Sequence, residues 1–168
     1  HIHLDHAGGA GELIRHLPNA KVYVHERGVQ HLIDPSKLRA GVIGVYGELF
    51  FKQFLGDLIP IAADKVIIAK DGDSLDLGGR LLKFIDTPGH ARHHLCIWDE
   101  LSQGIFSGDT LGVSYREFDT EQGVLIFPPT TPVQFDPEAW INTVNHLMTL
   151  QPKMAYLTHF NQIEFTKK

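Results

Sequence analysis

The sequence predicts an α+β fold in packed layers, and three observations carry that reading. Short apolar alternations mark strands, several of these strands come as hairpins, and helical segments are interspersed among them. A doubly wound parallel sheet would need a regular strand–helix–strand repeat, and strict units of that kind are few. The chain has 168 residues, of which 43% are hydrophobic and 21% charged. That is enough for one domain, residues 1–168, with a real core.

From the N-terminus, AGGAGELIRHL (7–17) reads as a helix with Leu13, Ile14 and Leu17 on one face. AKVYVHE (20–26) alternates like a strand, and ERGVQHLID (26–34) reads as a short helix stopped at Asp34-Pro35. Residues 36–60 are apolar and aromatic, with glycines, and predict one or two helices forming an insertion. Its Tyr46, Phe50, Phe51 and Phe54 suit a lid, a dimer contact or core packing. KVIIA (65–69) is a strand, and DGDSLDLGGRLLKFIDTPGH (71–90) a hairpin turning at Gly78-Gly79. HLCIWD and QGIFSGD form a second strand pair. FDPEAWINTVNHLMTL (135–150) is the clearest helix, with Asp136 as N-cap and Pro137 at the first helical position. KMAYLTH (153–159) is read as the last strand, ending in a histidine.

Composition excludes several classes. The formal charge of −5 gives no basic field for nucleic acid or anionic lipid. The longest apolar stretch, 41–61, is broken by Glu48, Lys52, Gln53 and Asp57, so no membrane span is expected. The single cysteine, Cys96, rules out an intrachain disulfide and suits a reducing, cytoplasmic compartment. Cys96 lies mid-strand and reads as a small core residue.

Histidine is the outlier, with eleven copies. HIHLDH opens the chain, and further candidates sit at strand ends: His90 after TPG, Asp109 after SG, His159 after LT. Rigid strands can hold such side chains on one rim. In an extended segment His1 and His3 point the same way, and the adjacent Asp5 and His6 can face a second point. Five imidazoles and two carboxylates make seven ligands, enough for two metals if one carboxylate bridges. Nitrogen and oxygen donors suit zinc, iron, manganese or cobalt.

These residues resemble the metallo-β-lactamase superfamily, whose signature H-x-H-x-D-H reads here as His1-Ile2-His3-Leu4-Asp5-His6, followed by TPGH (87–90), SGDT (107–110) and LTH (157–159). The finer pattern DPSKL, DGDSLDLGGR, DTPGHARHH and FDPEAW resembles bacterial members described only as hydrolases. The resemblance implies an αβ/βα four-layer sandwich. It also implies that the N-terminal strands of the first sheet, some 60–80 residues, lie outside this sequence. A free N-terminus on a ligand is then expected to be poorly anchored. By resemblance, His1, His3 and His90 hold one metal, Asp5, His6 and His159 the other, and Asp109 bridges them. Zinc is the first choice of cofactor, with iron or manganese as alternatives.

The function this implies is hydrolysis of an ester, thioester, lactone or related small acyl substrate by hydroxide held between the metals, with Asp5 and Asp109 as the catalytic carboxylates. β-Lactam hydrolases of the commonest class carry cysteine where Asp109 stands. Flavodiiron proteins carry glutamate in place of the second histidine. Acyl-homoserine lactonases place a tyrosine where Gly112 stands. Glyoxalase II-type thioesterases add a C-terminal helical domain. A mononuclear iron persulfide dioxygenase using His1, His90 and Asp109 is the alternative, as is an incomplete domain inactive without its N-terminal part. Substrate contacts are expected from Tyr115 and Phe127 in the loop after Asp109, and His94 is expected either to contact substrate or to support a ligand from behind. His93 is expected to support its loop, and Asp86 to bond a ligand imidazole or cap the turn. Expected partners are a small-molecule substrate and, through the insertion, a second copy, with neither nucleic acid nor membrane.

Overall fold

The computed structural model describes residues 1–165, which fall into two compact units: His1–Ala69, and the remainder from Lys70. In the first unit the helix predicted over 7–17 is α2 (Ala10–His16), and Gly8 and Gly9 separate it from a short α1 (Leu4–Ala7) that the sequence did not signal. Strand β1 (Val22–His25) then pairs in parallel with β2 (Val66–Ala69), from Val22 opposite Val66 to His25 opposite Ala69. A single 3₁₀ turn leads from β1 into α3 (Val29–Ile33) and α4 (Ser36–Tyr46). A short α5 (Glu48–Phe50) runs on into a π turn, Phe51–Leu55. The core gathers Ile2, Val24, Leu32 and Ile61, against which Ile14, Leu38 and Val66 pack.

The aromatic insertion divides sharply. Phe51 is buried, with the Arg39 guanidinium 5.5 Å from its ring centre. Tyr46, Phe50 and Phe54 lie outside the core and stack one upon the next, at 5.1 and 4.8 Å.

The second unit is a six-stranded sheet whose strands neighbour one another in chain order. They are β3 (Ser74–Asp76), β4 (Leu81–Asp86), β5 (Leu95–Asp99), β6 (Gly104–Gly108), β7 (Met154–Leu157) and β8 (Gln162–Glu164). All pairs are antiparallel except β6 and β7, which are parallel because α6 (Pro137–Thr149) lies between them in the chain. Asp136 caps α6 as the sequence predicts, accepting from Ala139 N at 3.0 Å. Leu147 of α6 joins Ile85, Cys96, Ile105, Ala155, Leu157 and Ile163 in the core. KMAYLTH is not the last strand: β8 follows it, and its three residues show too short an alternation to be read from sequence. Cys96 is core, as expected, and burial pushes its thiol up to about 11. No helix among the described residues is long and apolar enough to cross a membrane.

One buried charge ties the sheet's end together. The Asp99 side chain accepts from Arg80 Nε at 3.0 Å, from the Ser102 hydroxyl and from Leu101 N. The Arg80 guanidinium and the Ser102 hydroxyl hold its carboxyl down at about 2. The unfolded chain, with an ordinary carboxylate near 3.9, takes up this proton first as pH falls. The stabilisation is therefore complete above about pH 4 and fades towards pH 2. Melting temperatures of the wild type and Asp99→Asn should differ most above that window and converge below it. A gap constant with pH would refute the assignment.

Candidate metal centre

The first unit presents its candidate ligands from a short extended entry into α1. His1 Nε2 lies 3.0 Å from His3 Nδ1, so the two rings do point the same way. The His6 ring is also close, its centre 4.1 Å from that of His1, and His6 Nε2 lies 3.4 Å from Asp5 Oδ2. The expectation of a poorly anchored N-terminus is corrected here, because Ile2 between the histidines is 3% exposed and belongs to the core.

In the second unit three loops converge. His90 sits in the TPGH turn after β4, Asp109 just after β6, and His159 in the turn between β7 and β8. Both His90 and Asp109 are buried. The Asp109 carboxylate divides its oxygens: Oδ2 lies 3.1 Å from His90 Nε2, and Oδ1 lies 3.4 Å from His159 Nε2.

These turns are braced by neighbours. His94 Nε2 accepts from Asp109 N at 3.1 Å, so the ring proton sits on Nδ1, 2.7 Å from Thr87 Oγ1 and 3.3 Å from Thr110 Oγ1. Gly108 leaves this ring its space, since a Cβ there would stand 2.4 Å from His94 Nε2. Helix α6 clamps both motif turns. Thr143 Oγ1 donates to Pro88 O at 2.7 Å, Asp136 N to Gly89 O at 2.8 Å, and Trp140 Nε1 to Thr110 O at 2.7 Å. On the far side, Ser114 N donates to His159 O, and Asn161 Nδ2 donates to Ser114 Oγ at 3.1 Å.

His94 is fully buried, which sets aside the substrate contact and leaves the supporting role of the two expected for it. It positions the backbone of Asp109 instead. His93 is buried too, in the turn that precedes β5. Tyr115 and Phe127 are both exposed. Sequence reasoning missed Phe118 and Phe160, which join them in one aromatic row, and Trp140, the clamp on Thr110. The HF dipeptide at 159–160 was the available signal for Phe160.

The donor set fits a divalent metal. Imidazole nitrogens and carboxylate oxygens cluster in each unit, and a carboxylate flanked by two imidazoles is the arrangement a bridging ligand needs.

Comparison with known proteins bears this out at the level of family and fold. The sequence model of the metallo-β-lactamase superfamily matches residues 1–159. The metallo-β-lactamase fold-containing protein ST1585 of Sulfurisphaera tokodaii is 32% identical over 162 residues, 95% of this chain and 58% of that protein. The crystal structure of ST1585, from Sulfolobus tokodaii, matches with a TM-score of 0.79 at 28% identity, covering 98% of this chain and 60% of the other. Acyl-coenzyme A thioesterase MBLAC2 of Bos taurus is 31% identical over 117 residues, 66% of this chain and 39% of its own. Hydroxyacylglutathione hydrolase of a Synechococcus species is 32% identical over 111 residues, 66% of this chain and 32% of its own. The chain thus spans less than two thirds of the length of these relatives. The α+β, metallo-β-lactamase-type fold expected from the motifs is the one found, and the chain belongs to the metallo-β-lactamase superfamily.

Proposed function

We propose that this chain carries the metal site of a hydrolase acting on an ester, thioester, lactone or related small acyl substrate. Its metal ligands are His1, His3, Asp5, His6, His90, Asp109 and His159, and its cofactors are two divalent ions, zinc in the first place. The observation that carries the reading is the Asp109 carboxylate, one oxygen beside His90 and the other beside His159. Two relatives named for acyl-coenzyme A thioesterase and hydroxyacylglutathione hydrolase activity favour an acyl group passed to water. A family match running through both units supports treating residues 1–168 as one domain, with 36–60 an insertion.

When bound, divalent metal supplies Lewis acidity and a water acidic enough to attack near neutral pH. The chain's own groups do the rest. Asp109, buried, contributes a negative charge that offsets the cations, and its position is locked through its backbone by His94. Asp5, exposed at the start of α1, orients the attacking water and takes its proton on a carboxylate oxygen. The imidazoles of His90 and His159 are fixed by turns that strands and α6 hold rigid, so little reorganisation accompanies reaction.

Elemental analysis of the purified protein should find about two equivalents of metal per chain. Dialysis against a chelator should abolish hydrolysis of a panel of thioesters, esters and lactones, and added zinc should restore it. Hydrolysis that survives complete metal removal would sink the proposal. One equivalent of iron, with sulfur-dioxygenating activity, would replace it by the persulfide dioxygenase.

A further inference from the structure

Phe160 follows His159 and holds a φ of 85°, a left-handed conformation that a β-carbon disfavours. Such a residue persists where its surroundings hold it, and here they are well laced. Leu157 N donates to Asn161 O at 3.1 Å, Asn161 Nδ2 donates to Ser114 Oγ, and Ser114 N donates to His159 O. The conformation turns the Phe160 ring outward, 68% exposed, and lays it on Tyr115 with ring centres 4.7 Å apart. Tyr115 meets Phe118 edge to face at 6.0 Å, and Phe118 meets Phe127 at 6.1 Å. Val113 and Phe127 exchange two backbone hydrogen bonds of 2.8 Å, which pins the far end of the row.

The result is a continuous row of four exposed rings that starts beside His159, whose ring centre is 6.2 Å from that of Phe160. Rings of this size normally go inside, and an exposed run of them marks a binding surface. The charge of the same loop narrows the occupant. Glu117, Asp119 and Glu121 are exposed there against the single cation of Arg116, a field that repels polyanionic groups. An uncharged apolar group suits it.

We propose that Tyr115, Phe118, Phe127 and Phe160 form an aromatic rim that receives the apolar acyl chain of the substrate, with the reacting carbonyl at the His159 end. This rests on the hydrolase reading above and assigns its substrate class: neutral esters or thioesters of medium-chain acids, held by the acyl part.

The test is a chain-length series of p-nitrophenyl esters, from acetate to octanoate, on the metal-loaded protein. Burial of half of each methylene raises kcat/KM about two-fold per carbon in the wild type. Phe160→Ala should flatten that slope, and Leu101→Ala, an exposed apolar residue in the β5–β6 turn, should keep it. Phe160→Gly should flatten it equally while melting no lower than the wild type, because glycine relieves the φ. That separates loss of the rim from loss of the fold. Binding of octanamide, followed by calorimetry, gives a readout free of turnover and should weaken about ten-fold in Phe160→Ala, as loss of one aromatic contact implies.

A slope that survives in a folded Phe160→Ala overturns the rim. Octanamide binding that depends on Phe160, without hydrolysis of any ester, keeps the rim and removes the hydrolase reading. Hydrolysis with no chain-length dependence and no octanamide binding does the reverse. A concentration-dependent dimer that Phe160→Ala dissolves would give the rim to a second copy and overturn the substrate assignment.

Discussion

Replacing His94 by alanine should destabilise the second unit by about 3 kcal/mol and weaken metal binding about 10- to 100-fold. Three groups lose a partner at once: Asp109 N, Thr87 Oγ1 and Thr110 Oγ1. The two hydroxyls can turn towards each other or towards a carbonyl. The Asp109 amide has no such freedom, and an unmet buried donor costs about 1–3 kcal/mol. The void left by the ring adds to this. The metal effect follows from the same bond, because the ring fixes the backbone that carries the carboxylate. Urea denaturation of the metal-free protein gives the first quantity, and a competitive zinc titration the second. His94→Gln should recover part of both, since its amide can accept from Asp109 N and donate to a threonine. Stability within about 0.5 kcal/mol of the wild type, the range of an unremarkable surface change, would show that the ring is a bystander.

Gly89→Ala should be more damaging, at about 3 kcal/mol or more. Its φ is 134°, which L residues rarely adopt, and a Cβ would lie 2.4 Å from Trp140 Cα, a backbone atom that cannot swing aside. The turn carrying His90 would have to lift from α6, breaking the bonds from Asp136 N to Gly89 O and from Thr143 Oγ1 to Pro88 O. Gly123→Ala provides the control, since its φ of 132° imposes the same backbone strain with nothing within 4 Å of the new methyl. Denaturation of the two variants isolates the clash as the difference between them. Equal losses would mean that α6 does not seat on the glycine.

The clustering of histidine and aspartate was legible because such residues are costly to place without a use, and because the spacing of the opening string is specific. The helix over 135–150 and the Gly78-Gly79 hairpin were legible from local chemistry: a capping aspartate, a first-turn proline and a glycine pair. What escaped is non-local. Neither the parallel pairing of β1 with β2 nor that of β6 with β7 leaves a mark in the strands themselves. Strand β8 has only three residues, fewer than two full periods of alternation. For His94 the sequence left support and substrate contact both open, because proximity to His90 in sequence says nothing of which way the ring faces. Its burial comes from Thr87, Thr110 and Gly108, which meet only once β4, β5 and β6 are side by side. Phe160 was passed over because the handedness of a single φ is invisible to composition.

The clamp of α6 on both motif turns has a consequence for how this scaffold can change over generations. The turns holding His90 and Asp109 are secured from the helix side, through Thr143, Asp136 and Trp140. The loop from Gly112 to Gln134, which carries three of the four rim rings, is tied at its start, through Ser114 to His159 O and Asn161, and closed on itself by the Val113–Phe127 pair, while its other described residues make no such clamp to α6. Insertions and substitutions can therefore accumulate in that loop while the chemistry stays in register. New substrate preferences become reachable by small mutational steps, each selectable on its own, without a passage through inactive intermediates.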